Sequence, residues 1–310
     1  MSAVQPITTG ASASIYRIEV DGRPWLLRLE SFQRDEVRDP HRAYLCMRSA
    51  ADARIAPAVL HADAAAGVAI MAFVSDRPLD GFPGGSAALA RALGALAARL
   101  QATPVFPPVA DYPAIVGGLL ERLRGTGLYG SLLDPHRDGF ERLREAYPWD
   151  ESILVSSHND PHPGNILFDG ERLWLIDWES AYRNDPAVDL AIMTMYLSGT
   201  PELQEVLLQS WGGLPSDPRL RARVFVMRQL AKLFYGCANG LYLSGTRPDL
   251  VETDLSAPIP AEFSAAIRDG RLVQNSPEAQ RIGGKVALRA FLEDVTSPAF
   301  AEALAVLRAG

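Results

Sequence analysis

Apolar and polar residues alternate with period two from Ile15 to Val20, the pattern of a half-buried strand. Asp21-Gly22 then signals a tight hairpin, and Pro24 to Leu29 reads as the returning strand. Residues 1–30 are therefore expected as strands, with Gly10-Ala11-Ser12-Ala13-Ser14 as a small-residue turn. Two more strands are predicted over Ala58–Ala62 and Gly67–Val74, joined by Ala64-Ala65-Ala66. From Ser86, read as an N-cap, the period changes: Leu89, Leu93, Leu96 and Leu100 recur at helical spacing and read as core. Helices are also expected over Asp39–Ala50, near 111–124 and 131–147, and over Asp185–Met193. Residues 201–310 read as helical with loops at 212–218 and 245–258. A helix near 219–243 buries Leu220, Val224, Met227, Leu230 and Phe234.

Three short apolar runs interrupt the helical half: Ile153-Leu154-Val155, Ile166-Leu167-Phe168 and Leu173 to Ile176, the last two joined at Asp169-Gly170. Between the first two lies a polar loop, Ser156 to Asn165, and the third run ends at Asp177. Polar residues held on both sides by buried strands indicate a site. The order His158-x-Asp160, Asn165 five residues on, then Asp177 after a hairpin is that of a protein-kinase catalytic loop and metal-binding Asp. Asp160 can take a hydroxyl proton, and Asn165 and Asp177 can offer oxygens to Mg²⁺ on nucleotide phosphates. His158 holds the loop backbone beside the base. A metal cluster of His158, His162 and Asp160, or a plain polar turn, accounts for neither Asn165 nor Asp177.

The segment from His158 to Leu167, with Ile176-Asp177-Trp178-Glu179, resembles the aminoglycoside phosphotransferase and choline kinase family, nearer its choline/thiamine kinase branch. The resemblance is strong over 150–195, fainter over 1–80 and nearly absent over 200–310. It implies a two-lobed, protein-kinase-like α+β fold, with a β-rich nucleotide-binding N-lobe at 1–74 and a larger helical C-lobe at 75–310. It further implies catalytic residues Asp160 and His158 and metal ligands Asn165 and Asp177. The nucleotide falls to Arg28, to Gly10, Ser12 and Ser14 over the phosphates, and to the hinge Met71-Ala72-Phe73-Val74, whose Ala72 and Val74 backbone meets adenine. The cofactors so implied are ATP and Mg²⁺.

Two departures follow. The chain has only two lysines, Lys232 and Lys285, so a phosphate-binding cation in the N-lobe must be arginine. Ala43 stands where the family's helix C carries a Glu, leaving Glu30, Glu36 or Asp39 as substitutes. That loss is one way such folds retire from catalysis, and a silent nucleotide-binding module is the rival reading. Asp189, at the start of an apolar helical run, is unusual if exposed; the kinase-like resemblance implies that it is buried and accepts N–H bonds from the catalytic loop, with an ordinary N-cap as the alternative.

Composition narrows the partners. A net charge of −7 argues against nucleic acid, and no apolar run reaches membrane-spanning length because Arg91 and Arg99 interrupt the Ala-rich stretch. No secretory signal is visible at the start, so cytoplasm is the expected compartment, with Cys46 and Cys237 as reduced core thiols. The acceptor is expected to be a small-molecule hydroxyl: a choline-like amino alcohol, thiamine or a related metabolite first, an aminoglycoside second. Trp211, Tyr235 and Tyr242 favour a quaternary ammonium, whereas Arg219, Arg221, Arg223, Arg228 and Lys232 favour an anion. Oligomeric state is not legible.

Overall fold

The computed structural model describes residues 3–9, 13–30, 39–274 and 276–309. The chain packs as two compact units, Met1–Val109 with Asp150–Ser216, and Ala110–Trp149 with Asp217–Gly310.

The first unit opens with β1 (Ala3–Thr9), β2 (Ala13–Val20), β3 (Arg23–Glu30), β4 (Val59–Asp63) and β5 (Val68–Ala72). They form one antiparallel sheet in the order β1-β2-β3-β5-β4. Helix α1 (Pro40–Asp52) starts where Asp39 accepts from the His41 N–H and Pro40 supplies a pre-set φ, and it buries Ala43, Tyr44, Cys46, Met47 and Ala50. Cys46 and Cys237 are both free and buried, and burial pushes the Cys46 thiol up to about 12.

Two short ribbons carry the polar loop: β6 (Val155–Ser157) pairs with β9 (Tyr182–Asn184), and β7 (Ile166–Phe168) pairs with β8 (Leu173–Leu175). The sequence-based strand at Ile153-Leu154-Val155 therefore begins two residues late, because Asp150 caps a 3₁₀ turn over Glu151–Ile153. The sheet and the ribbons are stitched together by Leu175 N–H to Ile55 O (2.9 Å) and Arg77 N–H to Phe168 O (2.8 Å). Helices α2 (Gly85–Gln101), α5 (Ala187–Leu197) and α6 (Pro201–Gly212) complete this unit. Ser86 is not the N-cap of α2. Gly84 is, with φ 84°, a left-handed backbone that a serine would adopt only under strain. A Cβ on Gly94 would meet the Leu207 backbone, so glycine is what lets α2 and α6 touch.

The second unit is helical: α3 (Tyr112–Gly125), α4 (Asp134–Ala146), α7 (Pro218–Thr246), α8 (Pro260–Arg268), α9 (Pro277–Val295) and α10 (Pro298–Arg308). Asp217-Pro218, Ser276-Pro277 and Ser297-Pro298 give a capping side chain followed by proline, and each cap accepts an N–H from the first turn. The 29-residue α7 is the centre; Gly236 admits Leu288 of α9, and Gly240 admits Leu123 of α3. Glu252 fixes the loop after α7 through Arg281 and through Lys285, whose Nζ lies 2.7 Å from its carboxylate.

His136 of α4 is fully buried, stacked on Phe291, with Nε2 3.1 Å from Leu288 O. Burial pulls its pKa down to about 4, from 6.5. The unfolded chain therefore binds a proton here that the native state refuses, and stability falls as pH drops from 6.5 towards 4. Asp189, pushed up to about 6 by burial, slopes the opposite way, gaining stability over a similar window. A His136→Gln variant isolates the histidine share. Its unfolding free energy should lose about 2–3 kcal/mol less than wild type between pH 7 and pH 4.5. Denaturant titration at both pH values reads this, and equal losses in the two proteins would refute it.

Candidate active site

The polar loop is clamped from beneath. Asp189, in the first turn of α5 and fully buried, accepts from His158 N–H (2.9 Å) on Oδ2 and from Asn159 N–H (2.8 Å) on Oδ1. It is thus a loop anchor. Asp185, one residue before the Pro186 N-cap of α5, accepts from Ala187 N–H on Oδ1. Asn159 has φ 63°, a left-handed conformation that Asn tolerates better than most residues. Its side chain is locked by Asn184 Nδ2 (2.7 Å) and Ser180 O (2.9 Å). Neither Asn159 nor Asn184 was singled out from the sequence, since their roles depend on a turn visible only in three dimensions.

His158 is fully buried against the Trp178 ring, and its Nε2 donates to Ile176 O at 2.8 Å. Burial holds its pKa down at about 4, so the ring is neutral and ties the loop to the end of β8. Asp160, two residues on, turns towards Asn165, whose Nδ2 donates to Asp160 O (3.0 Å) and Oδ2 (3.1 Å). His162 accepts from Gly164 N–H on Nδ1, which puts the ring proton on Nε2, 3.7 Å from Asp160 Oδ2. Ile176 N–H donates to Asn165 O at 3.0 Å, which ties the residue before Asp177 to the backbone of Asn165. Asp177 also has a left-handed backbone, φ 63°. Such strain in a non-glycine residue persists only where the surroundings enforce it.

Arg28 closes the constellation. Its Nε donates to Glu30 Oε1 (2.8 Å) and its Nη1 to Asp177 Oδ1 (3.0 Å). Nη2 reaches Glu30 Oε2 and Glu179 Oε2, both at 3.4 Å. Burial works against its charge, but Asp177, Glu30 and Glu179 outweigh it and raise its pKa. Of the three carboxylates considered as stand-ins for the one missing at Ala43, Glu30 is the partner. Asp39 caps α1, and Glu36 lies outside the described residues. The signal was in the sequence: two residues apart on a strand, Arg28 and Glu30 share a face. Arg42 of α1 adds a bond to Glu179 O (2.6 Å).

Gly10 and Ser12, assigned to the phosphates, lie outside the described residues. Ala72 ends β5, where its N–H donates to Ala58 O, and Val74 follows it. Trp211 belongs to the first unit, where its indole donates to Gln101 Oε1; Tyr235 and Tyr242 belong to the second. Among the described residues no cluster of three or more His, Cys, Asp or Glu side chains could hold a metal by itself. The donors present nonetheless suit Mg²⁺, which takes one or two carboxylates and completes its octahedron with phosphate and water oxygens. With both Asn165 amide bonds directed at Asp160, the amide oxygen is the atom able to coordinate. Arg28 now lies on Asp177 where a second cation would compete.

The sequence model of the phosphotransferase enzyme family matches residues 3–223, more than half of the chain. The chain is 38% identical over 61 residues to Protein LicA of Haemophilus influenzae, a match covering 20% of this chain and 23% of that protein. It spans less than a quarter of the curated relatives it matches. Among solved structures, a choline/ethanolamine kinase family protein from Mesorhizobium loti superimposes with TM-score 0.73 and 22% identity over 100% of this chain and 93% of that one. The spectinomycin phosphotransferase APH(9)-Ia, in complex with ADP and spectinomycin, gives TM-score 0.55 and 15% identity over 98% and 92%. These likenesses show a kinase-like α+β fold, as the sequence resemblance implied. No described helix is long and apolar enough to cross a membrane.

Proposed function

Because the chain belongs to the phosphotransferase enzyme family, we propose that it is a small-molecule kinase that moves the γ-phosphoryl group of ATP, with Mg²⁺, to the hydroxyl of a small amino alcohol such as choline. One observation carries the reading: Asp160, Asn165, Asp177 and Arg28 are joined through a single hydrogen-bonded chain of loop and strand ends. Asp160 orients the acceptor hydroxyl and takes its proton late, as befits a loose transition state in which positioning dominates. Asn165 and Asp177 would hold Mg²⁺, which neutralises phosphate charge when bound. Arg28 steadies the phosphates, and Gly10 and Ser12 cover them. Ala72 O and Val74 N–H are the acceptor and donor for adenine. On this reading residues 1–74 act as the nucleotide lobe and 75–310 as the catalytic and acceptor lobe, working in the cytoplasm.

The silent-module reading rested on Ala43. Glu30 supplies the paired carboxylate, which removes its motive. For the acceptor, Lys232 is neutralised by Asp294 and Arg223 stacks on Tyr147, so the cations of α7 weigh less towards an anion than their number implies. The likeness to the spectinomycin phosphotransferase keeps an aminoglycoside antibiotic as the second reading. ATP consumption across choline, ethanolamine, thiamine and aminoglycosides, with Asp160→Ala as blank, tests the proposal. Turnover on an antibiotic alone would favour the second reading, and none on any alcohol would reject both.

Asp177→Ala gives a separate check. It should cost about tenfold or more in ADP affinity in Mg²⁺, since a lost metal carboxylate removes on the order of 1.4 kcal/mol or more. Metal-free ADP affinity should hold or rise, because Arg28 is released from Asp177. Calorimetry with and without Mg²⁺ decides, and an equal loss in both conditions would contradict the metal role.

A further inference from the structure

We propose that Tyr44 is a positioning residue for the nucleotide, acting from α1 through Glu30 on Arg28. The inference rests on the nucleotide-binding reading above and goes beyond it. Ala43, the helix position whose carboxylate is missing, has no polar atom to offer, but its neighbour Tyr44 does. The ring is 5% exposed, and its hydroxyl donates to Glu30 Oε1 at 3.0 Å, the same oxygen that receives Arg28 Nε at 2.8 Å. Glu30 Oε2 takes an Nη2 hydrogen of the same guanidinium. The carboxylate therefore grips the Nε–Nη2 edge of a planar fork, and the direction of the adjoining Nη1–Nη2 edge follows from that grip. That adjoining edge is the one facing Asp177 and Glu179.

A carboxylate on β3 alone has several rotamers and could follow Arg28 wherever it moves. Tyr44 removes that freedom. Its two-torsion side chain is packed in α1, so the hydroxyl is a fixed donor and Glu30 becomes a fixed acceptor. Arg42, two residues earlier on the same helix, binds Glu179 O, so α1 holds both sides of the Arg28 site. The helix thus keeps its usual influence over the phosphate cation by a two-part contact, carboxylate from the strand and hydroxyl from the helix.

The test is ADP binding without metal, with thermal unfolding alongside, for wild type, Tyr44→Phe, Glu30→Gln and the double variant. Tyr44→Phe should weaken ADP roughly three- to tenfold, the range for losing one ordinary hydrogen bond since Tyr44 acts at one remove, with Tm changed by less than about 4 °C. In turnover assays it should raise KM for Mg-ATP by the same factor and leave kcat within about twofold. Since Tyr44 acts only through Glu30, the double variant should bind no worse than Glu30→Gln alone. Glu30→Asp, which withdraws the carboxylate from Arg28 while keeping its charge, serves the same purpose if Glu30→Gln does not fold. Unchanged ADP affinity in Tyr44→Phe overturns the proposal, and so do losses that multiply in the double variant, the sign of independent structural effects. A wild type that binds no ADP overturns the nucleotide reading as well and is distinguishable on that ground.

Discussion

Asp160→Ala is expected to cut ATP turnover by about 10²–10⁴-fold, the range for losing a positioned acid–base group. ADP affinity should change by less than about threefold, because Asp160 meets Asn165 and His162 of its own loop, whereas Arg28 is held by Glu30, Asp177 and Glu179. The same separation predicts little effect on Tm: the side chain is a quarter exposed, and Asn165 keeps its second bond, to the Asp160 backbone carbonyl. Steady-state ATP consumption paired with calorimetry reads both quantities. Full turnover in the variant would remove Asp160 from the chemistry, and a parallel loss of ADP affinity would recast it as a nucleotide residue.

Asp189→Ala should cost the most stability of any site substitution. It leaves two buried backbone donors, His158 N–H and Asn159 N–H, without their acceptor. Each such orphan costs about 1–3 kcal/mol, so a loss of about 2–5 kcal/mol is expected after partial relaxation. The damage is also functional, because Asn159 is held left-handed one residue before Asp160. Asp189→Asn keeps the volume and one acceptor, but sets an NH₂ against one of the two N–H groups, and should fall between wild type and alanine. Chemical denaturation gives the stability order. ATP turnover at a temperature where all three proteins are folded gives the functional one. Wild-type turnover in a destabilised Asp189→Ala protein would show that the clamp serves folding alone.

The legible parts of this molecule were those fixed by short-range rules. Period-two alternation gave β2, the Asp21-Gly22 hairpin gave β3, the leucine spacing gave α2, and the order of His158, Asp160, Asn165 and Asp177 gave the family. Asp189 was legible too: a carboxylate beside an apolar helical run is unusual if exposed, and the family resemblance pointed it at the catalytic loop. Ends of elements were less so: Gly84 caps α2 where Ser86 was expected, because a left-handed backbone outweighs a capping hydroxyl. Ala43 looked like a deletion in the site, and the substitute depended on which side chains meet.

Taken alone, the order of residues determined the chemistry available: which carboxylates, which amide, and arginine in place of lysine. Folding decided the pairing. Glu30 and Arg28 are neighbours on a strand face, but Tyr44, Asp177 and Glu179 reach them from up to 151 positions away. Pairing at that distance depends on how α1, β3 and β8 pack, and packing is set by buried surface across the whole unit rather than by any local pattern.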